Sequence, residues 1–215
     1  MTIAIEGLYA IINRISQTPE ELIRLCKQLL RGGADAIQFR NKSVVSQEVI
    51  DLAEIFSRLC RRFGVPFIVN DYVDLAKKSN ADGIHLGQGD MGVKEARQIL
   101  GDAILVGVTV SRVDEAQQAV IDGADYLGCG HIYPTTTKHK PYPPIGVSVL
   151  EKVVNAVSIP VVAIGGITAN SVSSVLATGV AAVSLVSAIE RHSDPSWACK
   201  EIKDIIVANR DPICR

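Results

Sequence analysis

The first thing missing from this sequence is any imbalance of charge. Its 22 Lys and Arg stand against 23 Asp and Glu, for a formal net charge of −1. A nucleic-acid surface needs a concentrated basic face, and the two basic pairs here, Arg61-Arg62 and Lys77-Lys78, read as solvated helix edges. There is no CxxC pair either. The 5 cysteines (Cys26, Cys60, Cys129, Cys199 and Cys214) are odd in number and scattered, which reads as reduced thiols in a cytosolic protein, with neither a disulfide framework nor a zinc site. No N-terminal charged-then-apolar-then-small signal is visible, and no apolar run reaches spanning length. The expectation is a cytoplasmic chain with no nucleic-acid and no membrane partner. Oligomeric state stays open, homo-oligomers included.

What the chain does contain is a regular alternation. Apolar runs at 7–13, 34–40, 66–71, 82–87, 103–110, 124–132, 159–166 and 181–189 read as strands. They are mostly continuous, as expected of parallel strands covered on both faces. Helix candidates lie between them, such as "TPEELIRLCKQLLRGG" and "SRVDEAQQAVIDGA". The first opens on Thr18, Pro19 and Glu21, a capping box with proline at the first helical position. Both end at glycine. A small-residue phrase recurs before strands, as "GGADAI", "NADGI", "GADYL" and "GVAAV".

Eight strands alternating with helices and no linker predict one (β/α)8 barrel, an α/β domain over 1–215 with a loose tail from about 208. The competing fold, an open doubly wound sheet, would favour a G-x-G-x-x-G turn that is absent from the first βα connection.

A barrel of this kind carries its functional groups at the C-terminal ends of strands. Polar residues concentrate there. The stretch "GCGHIYPTTTK" places His131, Thr135, Thr136, Thr137 and Lys138 after the sixth strand, and "AIGGIT" and "LVSAI" add Gly165, Gly166 and Ser187. Glycine lets backbone N–H groups approach an anion, so these loops suit a phosphate; a tight turn alone would also use them. Gln38, Arg40 and Lys42 alternate and share one face. With Lys138 they could surround a multiply charged phosphate or form a salt-bridge network at the barrel mouth. Asp71 ends the third strand and Asp90 follows the fourth. Two carboxylates beside phosphate suit Mg2+. Asn70 is placed to hydrogen-bond a substrate ring or amide. The residues alone therefore suggest a magnesium-dependent enzyme handling a diphosphate and a second phosphorylated substrate.

The phrases "QFRNK", "VNDYVDLA", "ADGIHLGQGD", "GVTVS", "PTTTK", "AIGGIT" and "VSAI", in order from Gln38 to Ile189, together resemble thiamine phosphate synthase. The resemblance implies a (β/α)8 barrel that joins hydroxymethylpyrimidine diphosphate to a thiazole phosphate and releases pyrophosphate. It implies that Gln38, Arg40, Lys42, Asn70, Thr109 and Lys138 bind the pyrimidine diphosphate. It assigns Asp71 and Asp90 to Mg2+, and Thr135, Thr136, Thr137, Gly166, Val186 and Ser187 to the thiazole phosphate. The partners implied are small phosphorylated heterocycles.

The sequence departs from that family's pattern at several points. Thr109 stands where serine is usual, and Asn41 and Gly89 where acidic residues are common. His131 stands where synthases carry proline. "GHI" is the phrase of the sister family of thiazole tautomerases, which aromatise a carboxylated thiazole phosphate without metal. His131 could act there as a general acid–base, or pack idle at a strand end. His85 in "GIHLG" reads as a packed, catalytically idle histidine. The alternatives to a synthase are thus a tautomerase working through His131 and a non-catalytic phospholigand-binding regulatory barrel.

Overall fold

The computed structural model describes residues 4–135, 142–186, 189 and 192–210. Its strands are β1 (Gly7–Arg14), β2 (Ala36–Asn41), β3 (Phe67–Asn70), β4 (Gly83–Leu86), β5 (Leu105–Val110), β6 (Tyr126–Gly130), β7 (Val161–Ile164) and β8 (Ala182–Leu185). The helices among the described residues are α1 (Pro19–Arg31), α2 (Gln47–Phe63), α3 (Val73–Lys78), α4 (Val93–Leu100), α5 (Val113–Ile121), α6 (Gly146–Ala156), α7 (Ala169–Leu176) and α8 (Pro195–Arg210). The strands pair in parallel in the order β1 to β8 and close on themselves through β1 and β8. This is the (β/α)8 barrel that the alternation predicts.

Local chemistry accounts for the helix ends. Thr18 Oγ1 accepts from Glu21 N at 3.3 Å while Glu21 Oε2 accepts from Thr18 N at 2.9 Å, so the capping box forms as read. Leu22, Cys26, Leu29 and Leu30 line the buried stripe of α1. Gly33 and Gly123, just past α1 and α5, take φ of +90° and +92°, the left-handed conformation that stops a helix. Arg61-Arg62 and Lys77-Lys78 lie exposed in the last turns of α2 and α3, where positive charge suits the helix dipole.

The recurring phrase before strands acquires a structural meaning. Asp35, Asp82 and Asp125 each precede an even-numbered strand and accept a backbone N–H from the neighbouring odd one. The donors are Leu8 N (2.7 Å), Phe67 N (2.9 Å) and Val106 N (2.6 Å). Three of the four repeats thus close the N-terminal rim of the barrel with a carboxylate. In the fourth, Ala181 takes that place and its carbonyl accepts from the Arg210 guanidinium. Asp35 also pairs with Lys203 of α8, whose Nζ lies 2.5 and 2.6 Å from its two oxygens. Asp35→Ala leaves Leu8 N–H and Lys203 without this partner, and should lower stability by about 1–3 kcal/mol. A urea midpoint measures this loss, and turnover should be unchanged because the rim lies at the opposite end from the site.

Two apolar layers result. The larger lies between the sheet and its helices; the smaller fills the barrel interior with Tyr9, Ile11, Ala36, Ile68, Tyr126, Val162 and Ala182 among its members. Several strands are shorter than the apolar runs suggest. β6 stops at Gly130 and β8 at Leu185, because pairing with β7 ends at Gly130↔Ile164 and Ile164↔Ser184. His131 therefore belongs to a loop and not to a strand. α8 continues past 208, the start of the expected tail, to Arg210, which reaches back to Glu6 at 3.7 Å. Cys26, Cys60, Cys129 and Cys199 are buried free thiols. A hydrogen bond to Cys26 and then burial push the Cys60 thiol up. Cys214 lies outside the described residues. Among those residues no helix is long and apolar enough to cross a membrane.

Candidate active site

The C-terminal ends of the strands surround one cavity whose floor is the interior apolar layer. Gln38, Arg40, Asn70, Thr109, His131 and Thr135 line it, joined just past β7 and β8 by Gly165, Gly166 and Val186. The alternation read in "QFRNK" extends to Arg40: Gln38 is buried, Arg40 is half-buried, and Lys42 lies exposed beyond the strand end. Arg40 NH1 donates to Asn13 Oδ1 at 2.7 Å. That contact follows from register, since Asn13 on β1 is the strand partner of Arg40.

Lys42 Nζ does not face the cavity but pairs with Asp71 Oδ2. Asp71 sits at φ +65°, held by its N–H donating to His85 O at 2.9 Å. Aspartate is one of the few residues that tolerate this left-handed conformation, and it turns the carboxylate toward β4. Asp90 lies beyond β4 and its Oδ2 accepts from Gly87 N at 2.8 Å. The two carboxyls meet. Desolvation first, then the hydrogen bond and charge of Asp71, hold the Asp90 carboxyl above its ordinary value, against the pull of Gly87 N–H and Lys42.

The folded chain therefore binds the Asp90 proton more tightly than the unfolded chain does. This group favours the fold below the ordinary carboxylate range, and the contribution is lost as pH rises through the raised value. Asp90→Asn removes that loss. It should raise the thermal midpoint in metal-free buffer at neutral pH, and an unchanged or lower midpoint would count against the pairing with Asp71.

Gly165 and Gly166 have φ of +98° and +68° and pack under the loop that follows β6. A Cβ at 165 would lie 2.4 Å from His131 Cβ, and one at 166 would lie 2.4 Å from Pro134 O. Close approach of that loop thus requires both glycines, and Tyr133 N donates to Gly165 O at 3.0 Å. The same approach brings Thr135 to the cavity beside Gly166 and Val186. Thr136, Thr137, Lys138 and Ser187, also expected at this site, lie outside the described residues. His131 is buried and its ring packs against that of Tyr142, centroids 5.5 Å apart.

Sequence reasoning missed several residues. Asn13, Tyr9, Tyr126 and Ser184 line the same cavity. The tyrosines sit in apolar runs and read as core. His85 is buried as expected but also lines the cavity, with ring nitrogens bonded to Tyr126 OH and Thr109 Oγ1.

A closed barrel that gathers carboxylates, cations and amides at the C-terminal ends of its strands has the layout of a (β/α)8 enzyme. The chain belongs to the thiamine monophosphate synthase family, whose model matches residues 8–189. It is 41% identical over 198 residues to the thiamine-phosphate synthase of Roseiflexus castenholzii, covering 92% of this chain and 87% of that one. It is 39% identical over 199 residues to the enzyme of that name from Desulfitobacterium hafniense, covering 93% and 96%. Among solved structures, thiamine phosphate pyrophosphorylase from Pyrococcus furiosus superposes with a TM-score of 0.86 at 35% identity, covering 95% of this chain and 97% of that one.

Proposed function

We propose that this chain is a transferase of thiamine biosynthesis that couples hydroxymethylpyrimidine diphosphate to a thiazole phosphate, releasing pyrophosphate, with Mg2+ as its cofactor. The observation that carries the reading is the meeting of Asp71 and Asp90 beside Lys42, directly after Asn70, which lines the cavity with Gln38, Arg40 and Thr109. Two adjoining carboxylates fit a divalent cation that completes its shell with phosphate and water. Bound there, such a cation would neutralise charge building on the leaving pyrophosphate.

The remaining work falls to the chain's own groups. Breaking the pyrimidine–diphosphate bond separates charge, so fixed cations near the leaving group matter more than a general base. Arg40 is held toward the cavity by Asn13, and Lys42 is held at the rim by Asp71. Lys138 would join them in this reading. Asn70, Gln38 and Thr109 would orient the pyrimidine, and the buried floor excludes water that would otherwise trap the pyrimidine cation. Thr135, Gly166 and Val186, with Thr136, Thr137 and Ser187, would hold the thiazole phosphate. The cytoplasm, with its reducing conditions, suits the four buried free thiols.

Incubating the purified chain with both substrates, with and without Mg2+, and measuring thiamine phosphate tests the proposal. Product that depends on Mg2+ supports it; no product with both substrates and Mg2+ present would sink it. A second reading, proton transfer on a carboxylated thiazole phosphate, is favoured by the position of His131 on the cavity wall next to Gly165. His131→Ala should leave coupling within a few-fold of wild type while abolishing any isomerisation of the carboxylated thiazole. Coupling lost with isomerisation would place His131 in both reactions.

A further inference from the structure

Four hydrogen bonds join five side chains, from five different strands, across the cavity floor. Gln38 Nε2 on β2 donates to Tyr9 OH on β1 at 2.9 Å. Tyr9 OH lies 2.9 Å from Tyr126 OH on β6. Tyr126 OH lies 3.1 Å from His85 Nδ1 on β4, and His85 Nε2 lies 2.9 Å from Thr109 Oγ1 on β5. Two glycines make room for the row. A Cβ at Gly107 would lie 2.1 Å from Tyr126 Cζ, and one at Gly128 would lie 2.8 Å from His85 Cε1.

A hydroxyl has one proton to give, so such a row runs in one direction at a time. Burial pushes the Tyr9 phenol well up, against the pull of its bonds to Tyr126 and Gln38, and burial followed by the neighbouring Tyr9 pushes Tyr126 up as well. Both phenols therefore stay protonated. Tyr9 accepts from the Gln38 amide. The Tyr9–Tyr126 and Tyr126–His85 distances suit a donor on either side, and the direction that also uses the Tyr9 proton sends it to Tyr126 and the Tyr126 proton to His85 Nδ1. A neutral imidazole that accepts at Nδ1 carries its proton on Nε2 and gives it to Thr109. The Thr109 hydroxyl proton is then left for the cavity, as is the Gln38 carbonyl oxygen.

We propose that this row is a one-way hydrogen-bond relay that sets what its two ends present to the substrate, a donor at Thr109 and an acceptor at Gln38. His85, Tyr126 and Tyr9 are its positioning residues. What the ends select rests on the function proposed above: a pyrimidine ring nitrogen accepts from Thr109, and an amino substituent beside a ring nitrogen donates to Gln38. The direction of the row does not depend on that reading.

Nitrogen-15 NMR of the histidines in the full chain at pH 8 reads the direction, with His85 assigned by the signals lost in His85→Gln. The wild-type ring is expected as the Nε2–H tautomer. Gln38→Glu puts an acceptor-only group three hydrogen bonds away from His85, so the row reverses and His85 becomes Nδ1–H. Adding Tyr126→Phe to Gln38→Glu cuts the row and returns His85 to Nε2–H. A wild-type Nδ1–H ring, an unchanged tautomer in Gln38→Glu, or a switch that survives Tyr126→Phe would each overturn the relay. Because these measurements use the free protein, they stand or fall separately from the thiamine phosphate assay. Tyr126→Phe alone, which keeps the ring, gives a second readout. KM for the pyrimidine diphosphate should rise about tenfold, as for the loss of one good hydrogen bond, while KM for the thiazole phosphate stays put. An equal rise in both would mark a structural role and overturn the proposal.

Discussion

Asp71→Asn should reduce thiamine phosphate formation by about 10²- to 10³-fold in kcat, the scale on which losing one group that stabilises developing charge is felt. The variant is chosen for its backbone. Asp71 sits at φ +65°, and asparagine tolerates that conformation where alanine does not. Asp71→Ala would add strain to the loss of charge and blur the result. With asparagine the Lys42 pair loses its charge but the turn keeps its shape. A thermal midpoint close to wild type with turnover collapsed is the expected outcome. Unchanged turnover would remove Asp71 from the proposed Mg2+ site.

Gly107→Ala should be one of the most damaging single methyls in the barrel. The added carbon would lie 2.1 Å from Cζ and 2.5 Å from OH of Tyr126, a fully buried ring. Gly107 is a strand partner of both Tyr126 and His85, so neither backbone can retreat without breaking the ladder. Overpacking of this kind costs about 1–3 kcal/mol, and the rigidity on both sides argues for the upper end. The comparison is Gly89→Ala, where no atom lies within 4 Å of the new carbon. That variant should stay within about 0.5 kcal/mol of wild type. Urea midpoints for the pair measure the difference, and equal midpoints would show that Tyr126 does not fill the space beside Gly107.

The strand-end polar residues were legible because a parallel barrel puts its site at a fixed end of every strand. Arg40, Asn70 and Thr109 follow from that rule and all line the cavity. Lys42 illustrates its limit. Alternation places it on the face of Gln38 and Arg40, but the strand ends at Asn41, and past that point the side chain answers to Asp71 instead. His131 shows the same limit from the other side. Its apolar run reads as strand, yet the ladder with β7 stops one residue earlier.

The recurring "GAD" and "NAD" phrases were legible as punctuation but not as hydrogen bonding. Each aspartate's partner is a backbone N–H 15 to 27 residues away on the preceding strand, and only the parallel pairing of the two strands brings them together.

By itself the sequence determined the order of strands and helices, their caps, and the polar residues at the strand ends, because each depends on periodicity or on neighbours a few positions away. Only the tertiary structure decided which face of each strand looks inward. Strands covered on both sides are apolar throughout, so no alternation marks the interior. Tyr9, Tyr126 and His85 therefore read as core, and it is the closed register that turns them into a hydrogen-bonded row beneath the site.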